Sequence, residues 1–156
     1  MGLFSIFKTS KKEEKMGYLR VIVEMAGIDG RISDKEDYMI NLFAKILKLS
    51  EKEIRESKSL DYNQVTLPTS SKDKEQLITD LIMLMLIDND ISESEYLFCK
   101  DVASRLSISG VFVDNKINEI ISNAHLLLNG AYDQKKLQLS FTKILMNSIS
   151  KTMKKS

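Results

Sequence analysis

Apolar residues recur along the chain at the three- and four-residue spacing that places them on one face of an α-helix. Six such stripes can be traced, the first of them formed by Leu19, Ile22, Val23 and Ala26. The other five cover residues 39–47, 77–85, 97–106, 117–128 and 137–149, with Leu97 opening the fourth. No segment alternates convincingly in the manner of a strand. The pattern therefore predicts an all-α protein, a single-domain bundle of about seven helices.

Polar residues typical of helix ends bound these stripes. Three serine–glutamate pairs have capping-box spacing, namely Ser33 with Glu36, Ser50 with Glu53, and Ser92 with Glu95. Asp114 is a candidate cap for a later helix, and Asn129-Gly130 is a candidate helix stop. The polar stretch around Pro68 predicts the main internal loop.

The most informative feature is an internal repeat. When the sequence is shifted by 59 residues, positions 28–50 align with 87–109 and give eight identities in 23 positions. Each copy contains the motif Ile-Asp-x-x-Ile-Ser-x-x-Glu between two helical stripes, and we expect its isoleucines to be core residues or hydrophobic-staple residues. The repeat predicts two helix–loop–helix units related by a pseudo-two-fold axis.

The predicted layout follows from these boundaries. Residues 1–15 form an amphipathic or disordered N-terminal segment, and residues 16–156 form the helical domain. Within the domain we expect repeat one at 16–57, a loop at 58–72, repeat two at 73–109, and closing helices at 113–153.

Charge and cysteine content narrow the choice of partners and compartment. The net charge is only +1, from 23 basic and 22 acidic residues, so no nucleic-acid partner is predicted. Cys99 is the only cysteine, which favours a reducing, cytoplasmic location. The longest apolar run, residues 81–87, is too short to cross a bilayer. Residues 1–15 combine apolar and lysine side chains, which allows weak contact with a membrane surface.

The two motif aspartates, Asp29 and Asp88, call for an explanation. Each directly follows an apolar helix, where the helix dipole disfavours an anion by about 0.3–1 kcal/mol. Hydrogen bonds from backbone amides in the following turn would offset this cost without any ligand. Alternatively, a divalent cation could bind at Asp29, Glu36, Asp88 and Glu95, because oxygen-rich sets suit Ca²⁺, Mg²⁺ or Mn²⁺.

A standard EF-hand is excluded as the source of such a site. The motif matches the second half of a calcium loop, with Glu36 or Glu95 as its last ligand. The first ligand positions are then occupied by Met25 in one copy and by Leu84 and Leu86 in the other. These side chains cannot coordinate calcium.

The apolar helix, the Asp-Gly-x-Ile-Ser-x-x-Glu turn, the Ala-x-x-Leu helix and the degenerate second copy resemble the TerB-like family. That family includes tellurite-resistance proteins and the central domain of some DnaJ-type co-chaperones. The resemblance covers roughly residues 16–109 and implies an all-helical fold with acidic turns proposed to bind metal. On this chain those positions are Asp29, Glu36, Asp88 and Glu95, although Asn89 replaces the glycine in the second copy.

Other candidate groups do not suggest catalysis. His125 is the only histidine and has no partners for a catalytic triad, while Cys99 is expected to be a small buried hydrophobe. We therefore expect a non-enzymatic, TerB-like binding module that responds to tellurite, metal or general stress. The alternative is a metal-free helical scaffold that binds a protein partner and is peripheral to the inner face of the membrane.

Overall fold

The computed structural model describes residues 11–123 and 133–155, with side chains in the last helix described up to residue 147. These residues form seven α-helices and one short 3-10 turn, at Tyr62–Gln64, and they contain no β-strand. The helices are α1 (Lys12–Ala26), α2 (Asp34–Ile46), α3 (Glu51–Lys58), α4 (Ser71–Leu86), α5 (Glu93–Arg105), α6 (Gly110–Ser122) and α7 (Gln134–Lys155). The prediction of a single all-α bundle is confirmed.

Helices α1 and α4 form the centre of the bundle. Nine of the 15 residues of α1 and ten of the 16 residues of α4 are buried. The second half of α4 is buried on all sides, as the unbroken apolar run of residues 81–86 predicts. Helices α2, α5, α6 and α7 add one buried stripe each, including Phe43 on α2, Val102 on α5 and Phe141 on α7, whereas α3 buries only Ser57.

Polar contacts show that α1 and α4 run in the same direction. Near their starts, the backbone N–H of Thr69 donates to the buried carboxylate of Glu14 at 3.2 Å. Further along, the Tyr18 hydroxyl donates to Asp80, whose other oxygen accepts from Gln76 at 2.8 Å. Burial raises the pKa of Asp80 to about 7, so this carboxyl is stabilised by its two donors and not by a cation.

The loop before α4 is fixed against α1. The hydroxyl of Ser57, at the end of α3, donates to the Met16 carbonyl at 2.6 Å. Arg20 donates through Nε to the Leu60 carbonyl at 2.9 Å and forms an ion pair with Glu24 at 2.8 Å. Gly17 lets the loop backbone approach closely, since a Cβ at this position would overlap the Thr66 carbonyl.

The backbone turns after the helices recur at the spacing of the sequence repeat. Gly30 and Asn89, which are 59 residues apart, have φ angles of 83° and 57°. Lys48 and Ser107, with the same separation, have φ angles of 58° and 60°. Asparagine tolerates the left-handed region better than most residues, which explains how the second copy manages without the glycine. The duplication of whole hairpins stays a prediction.

The start of α6 differs from the prediction. Asp114 lies inside this helix, which begins four residues earlier, and the Ser109 hydroxyl caps it by accepting from the Val111 N–H at 3.1 Å. A cap must precede the first turn, where the amides lack partners, and Ser109 already occupies that place. Asp114 instead accepts from the Tyr96 hydroxyl at 2.7 Å and pairs with Lys100 at 2.9 Å.

Ile28 and Ile32, expected at core or staple positions, and Leu97, expected on a buried stripe, are exposed, so none of the three is a core residue. Ile28 and Ile32 lie between α1 and α2, where the chain is not helical and the helical period does not set side-chain direction. Leu97 lies on the side of α5 opposite the buried Val102 and Ala103, because five to six residues turn a helix by about one and a half turns.

Some predictions fall outside the described residues or at their edge. Asn129-Gly130 and His125 lie outside them, as do residues 1–10. Helix α1 begins at Lys12, so the predicted segment boundary after residue 15 falls inside a helix. Among the described helices, none combines the length and the apolar character that spanning a membrane requires.

We expect Gly17→Ala to lower the free energy of unfolding by about 1–3 kcal/mol, because the added methyl group forces α1 away from Thr66. Gly27→Ala is the matched control, since a Cβ there would make an ordinary 3.6 Å contact with the Val23 carbonyl. Urea unfolding followed by circular dichroism measures both. Equal midpoints for the two variants would contradict the close approach.

Candidate functional site

The candidate site lies where two connections meet at one end of the bundle. We call residues 27–33, between α1 and α2, elbow one, and residues 87–92, between α4 and α5, elbow two. Each elbow follows a central helix and ends in a serine that caps the next helix. Because α1 and α4 run in the same direction, both elbows emerge at the same end.

The aspartates of the two elbows are bound by serines across the junction. The Ser94 hydroxyl donates to Asp29 at 2.9 Å, and the Ser33 hydroxyl donates to Asp88 at a longer 3.5 Å. Within the described residues, neither aspartate accepts a hydrogen bond from an amide of its own turn. The carboxylates at the helix ends are thus satisfied by donors from the opposite unit.

The two motif glutamates differ in their hydrogen bonds. Glu36 is buried and completes its capping box, accepting from the Ser33 N–H at 3.0 Å while its own N–H donates to Ser33 Oγ at 3.1 Å. Glu95 is half-buried, and its carboxylate accepts from the Ser92 hydroxyl at 2.8 Å. The predicted box is therefore complete at Ser33 and only partly formed at Ser92, where the serine still caps the helix.

The four predicted carboxylates share one electrostatic environment. Burial raises the pKa of Glu95 from 4.5 to about 7, and the hydrogen bond from Ser92 opposes this increase. The negative charges of Asp29, Glu36 and Asp88 raise the pKa further. Each of the other three motif carboxylates thus lies near enough to Glu95 to raise its pKa.

The charges at this junction are not neutralised by basic side chains. In the part of the chain that the structure describes, no lysine or arginine forms an ion pair with any of the four carboxylates. As they stand, no three or more histidine, cysteine, aspartate or glutamate side chains among the described residues converge closely enough to hold a metal ion. The positions that exclude an EF-hand, Met25, Leu84 and Leu86, are fully buried core residues.

The chemistry available at the junction is that of oxygen ligands. Carboxylates and serine hydroxyls are hard donors, which suit Ca²⁺, Mg²⁺ or Mn²⁺ better than softer metals. Cys99 is fully buried, and burial raises the pKa of its thiol, which lies 3.8 Å from Met25 Sδ. It is therefore a buried hydrophobe, as predicted, and not an exposed nucleophile.

Sequence reasoning missed two polar features near this region. Ser94, which donates to Asp29, occupies a variable position of the repeated motif, where Lys35 is its counterpart in the first copy. The second feature is the hydrogen bond between Tyr18 and Asp80, two polar residues among apolar positions. Its only indication in the sequence is an acidic residue on an otherwise buried face of α4.

Comparisons with known proteins add no relative. No protein-family model matches the chain, and neither the curated proteins nor the solved structures contain a match. The resemblance to the TerB-like family stays a prediction from the motif.

The raised pKa of Glu95 has a consequence for stability. The Glu95 carboxyl binds its proton more tightly in the folded chain than in the unfolded chain. Its contribution to the free energy of unfolding is therefore complete below pH 4.5 and is lost as the pH rises through about 7. Between pH 5 and 7 we expect the free energy of unfolding to decline less steeply in Glu95→Gln than in the parent chain. The difference in slope should be part of the ~1.4 kcal/mol per pH unit that one linked proton gives.

Chemical denaturation at several pH values, in metal-free buffer, measures this effect. Asp80 titrates in the same range and remains in the variant, so the decline becomes shallower without disappearing. Glu75→Gln, at an exposed position of α4, is the control and should follow the parent curve. Identical pH profiles for Glu95→Gln and the parent would show that Glu95 is not perturbed.

Proposed function

We propose that the chain is a TerB-like binding module that holds a divalent cation between its two acidic elbows. The ligands would be Asp29, Glu36, Asp88 and Glu95, and the cation Ca²⁺, Mg²⁺ or Mn²⁺. The observation that supports the proposal is the meeting of the elbows through Ser94 and Ser33, beside motif carboxylates that form no ion pair with a lysine or arginine among the described residues.

The energetics of the junction favour a cation. Asp29 and Asp88 are exposed and are bound only by serine hydroxyls, and such hydrogen bonds each contribute about 0.5–1.5 kcal/mol. Their side chains could exchange these hydroxyls for a cation at small cost. Burial is the main cause of the raised pKa of Glu95, and the cation would relieve the further increase that the neighbouring carboxylates add. A cation competes with this proton, so its affinity should increase as the pH rises through about 7.

The biological setting of the proposal comes from the family resemblance. The all-helical bundle agrees with what that resemblance implies, with Asp29 and Asp88 in the two elbows and Glu36 and Glu95 in the first turns of α2 and α5. We propose a role in the response to tellurite, metal or general stress, in the cytoplasm, through binding rather than catalysis. The donor set supports this choice, because it offers cation ligands and no activated nucleophile.

A metal-free interaction scaffold is the second candidate. Tyr38 on α2 is 69% exposed and Leu97 on α5 is 53% exposed, and the two positions are 59 residues apart. Large apolar side chains at equivalent exposed positions could bind a protein partner at both units. Weak membrane contact through residues 1–15 belongs to this alternative, and residues 1–10 of that segment are not described.

We expect millimolar Ca²⁺, Mg²⁺ or Mn²⁺ to raise the melting temperature, by about 2–4 °C for each kcal/mol of binding free energy. Asp29→Asn combined with Asp88→Asn should remove the gain, because it removes two ligands and keeps side-chain size. Differential scanning calorimetry at pH 8 and at pH 6 measures the increase in melting temperature. This increase should be smaller at pH 6, where Glu95 is largely protonated.

Two controls separate binding from general screening. Sodium chloride at matched ionic strength accounts for non-specific effects of salt. Glu51→Gln combined with Asp101→Asn removes the same charge from exposed positions on α3 and the later part of α5, and should keep the gain. The cation proposal fails if no divalent cation shifts the transition beyond the salt control, or if both double variants respond equally.

A further inference from the structure

Helix α7 has an unusual distribution of charge. Its 22 residues include six lysines and no acidic residue. Since the whole chain carries +1 and α7 carries +6, the rest of the chain carries −5. Lys135, Lys136 and Lys143 are exposed. The last helix is therefore a strongly basic element on a molecule that is otherwise acidic.

The same helix exposes apolar side chains away from the bundle. Its inward face buries Leu137, Phe141 and Ile144. On the outward side, Leu139 is 73% exposed and Met146 is 64% exposed. These two residues are seven positions apart, which is about two helical turns, so they lie on one line along the helix.

Exposed residues between and before these two complete the outward line. Thr142 lies between Leu139 and Met146 on this line and is exposed. We call Leu139, Thr142 and Met146 the outer stripe. On a helical projection the exposed Lys136 and Lys143 fall along one border of the outer stripe, and the exposed Lys135 lies on its line about one turn before Leu139. An apolar line next to cations is the arrangement with which helices lie in the interface of an anionic membrane.

Charge decides which occupant the outer stripe fits. Two copies of α7 packed along this stripe would bring twelve lysines together without any acid on either helix, which opposes a symmetric dimer. Anionic lipid attracts each lysine near the surface, while the apolar side chains enter the acyl boundary. A membrane also accepts a convex helix face, whereas a protein partner would need a matching groove.

We propose that the outer stripe of α7 and its bordering lysines form a binding surface for anionic membranes. Contact at this surface needs neither a spanning helix nor the cation site at the elbows. It also differs from the contact expected for residues 1–15, because α7 lies at the other end of the chain and packs on α6.

Co-sedimentation of the full chain with vesicles tests the proposal. We expect binding to vesicles containing phosphatidylglycerol and not to vesicles of phosphatidylcholine alone, with loss of binding at 0.5 M salt. Leu139→Asp combined with Met146→Asp should weaken binding about tenfold or more, because it removes two apolar contacts and adds repulsion. Circular dichroism checks that the variant is folded, and Val111→Asp combined with Ser104→Asp, at exposed positions of α6 and α5, adds the same charge and is the matched control.

Each other outcome would overturn the proposal. Absence of binding to anionic vesicles at low salt rules out the membrane as the occupant. Binding that is unchanged in the α7 variant but lost in Phe4→Asp combined with Phe7→Asp assigns the contact to the N-terminal segment. A dimer in light scattering that dissociates in the α7 variant shows that a second copy covers the outer stripe.

Discussion

The parallel packing of α1 against α4 is the constraint on which the rest of the structure depends. These two helices bury nine and ten residues, and their shared direction is fixed by contacts at their starts and middles. Two helices that run side by side in one direction end at the same place. The connections that follow must therefore meet, which brings Asp29 and Asp88 to one junction. The acidic site is in this sense a result of how the core is packed.

The sequence predicts the elements of this arrangement better than it predicts their contacts. Helical periodicity and serine caps identify the helices because both are local properties of the chain. The repeat then identifies the four carboxylates that the fold brings together. Periodicity fails at Ile28 and Ile32, which lie where the chain is not helical, and at Leu97, whose exposure depends on which neighbours pack against α5. Ser94 could not be predicted as a partner of Asp29, because that contact spans 65 residues.

The two carboxyl groups whose pKa is raised to about 7, Asp80 and Glu95, form no ion pair with a described lysine or arginine, but they are held in different ways. Asp80 has two hydrogen-bond donors, from Tyr18 and Gln76, and lies deep between the central helices. Glu95 accepts from Ser92 and faces three other carboxylates at the surface of the junction. The first arrangement is satisfied within the core, whereas the second leaves negative charge that an ion from solvent can reach. This contrast is why the elbows, and not the interior pair, form the candidate site.

The acidic elbows and the basic α7 are physically connected. Asn89 in elbow two accepts from the Asp133 N–H at 2.7 Å, and Asp90 accepts from the Ser140 hydroxyl on α7 at 3.1 Å. The residues that position the start of α7 are thus neighbours of Asp88 in the same short turn. A cation bound at the elbows would reduce the negative charge beside the first turns of α7. It would bind next to Asn89 and Asp90, which accept the hydrogen bonds from Asp133 and Ser140. Because binding free energies are reciprocal, a ligand on α7 that shifts its start would in turn alter cation affinity at the elbows.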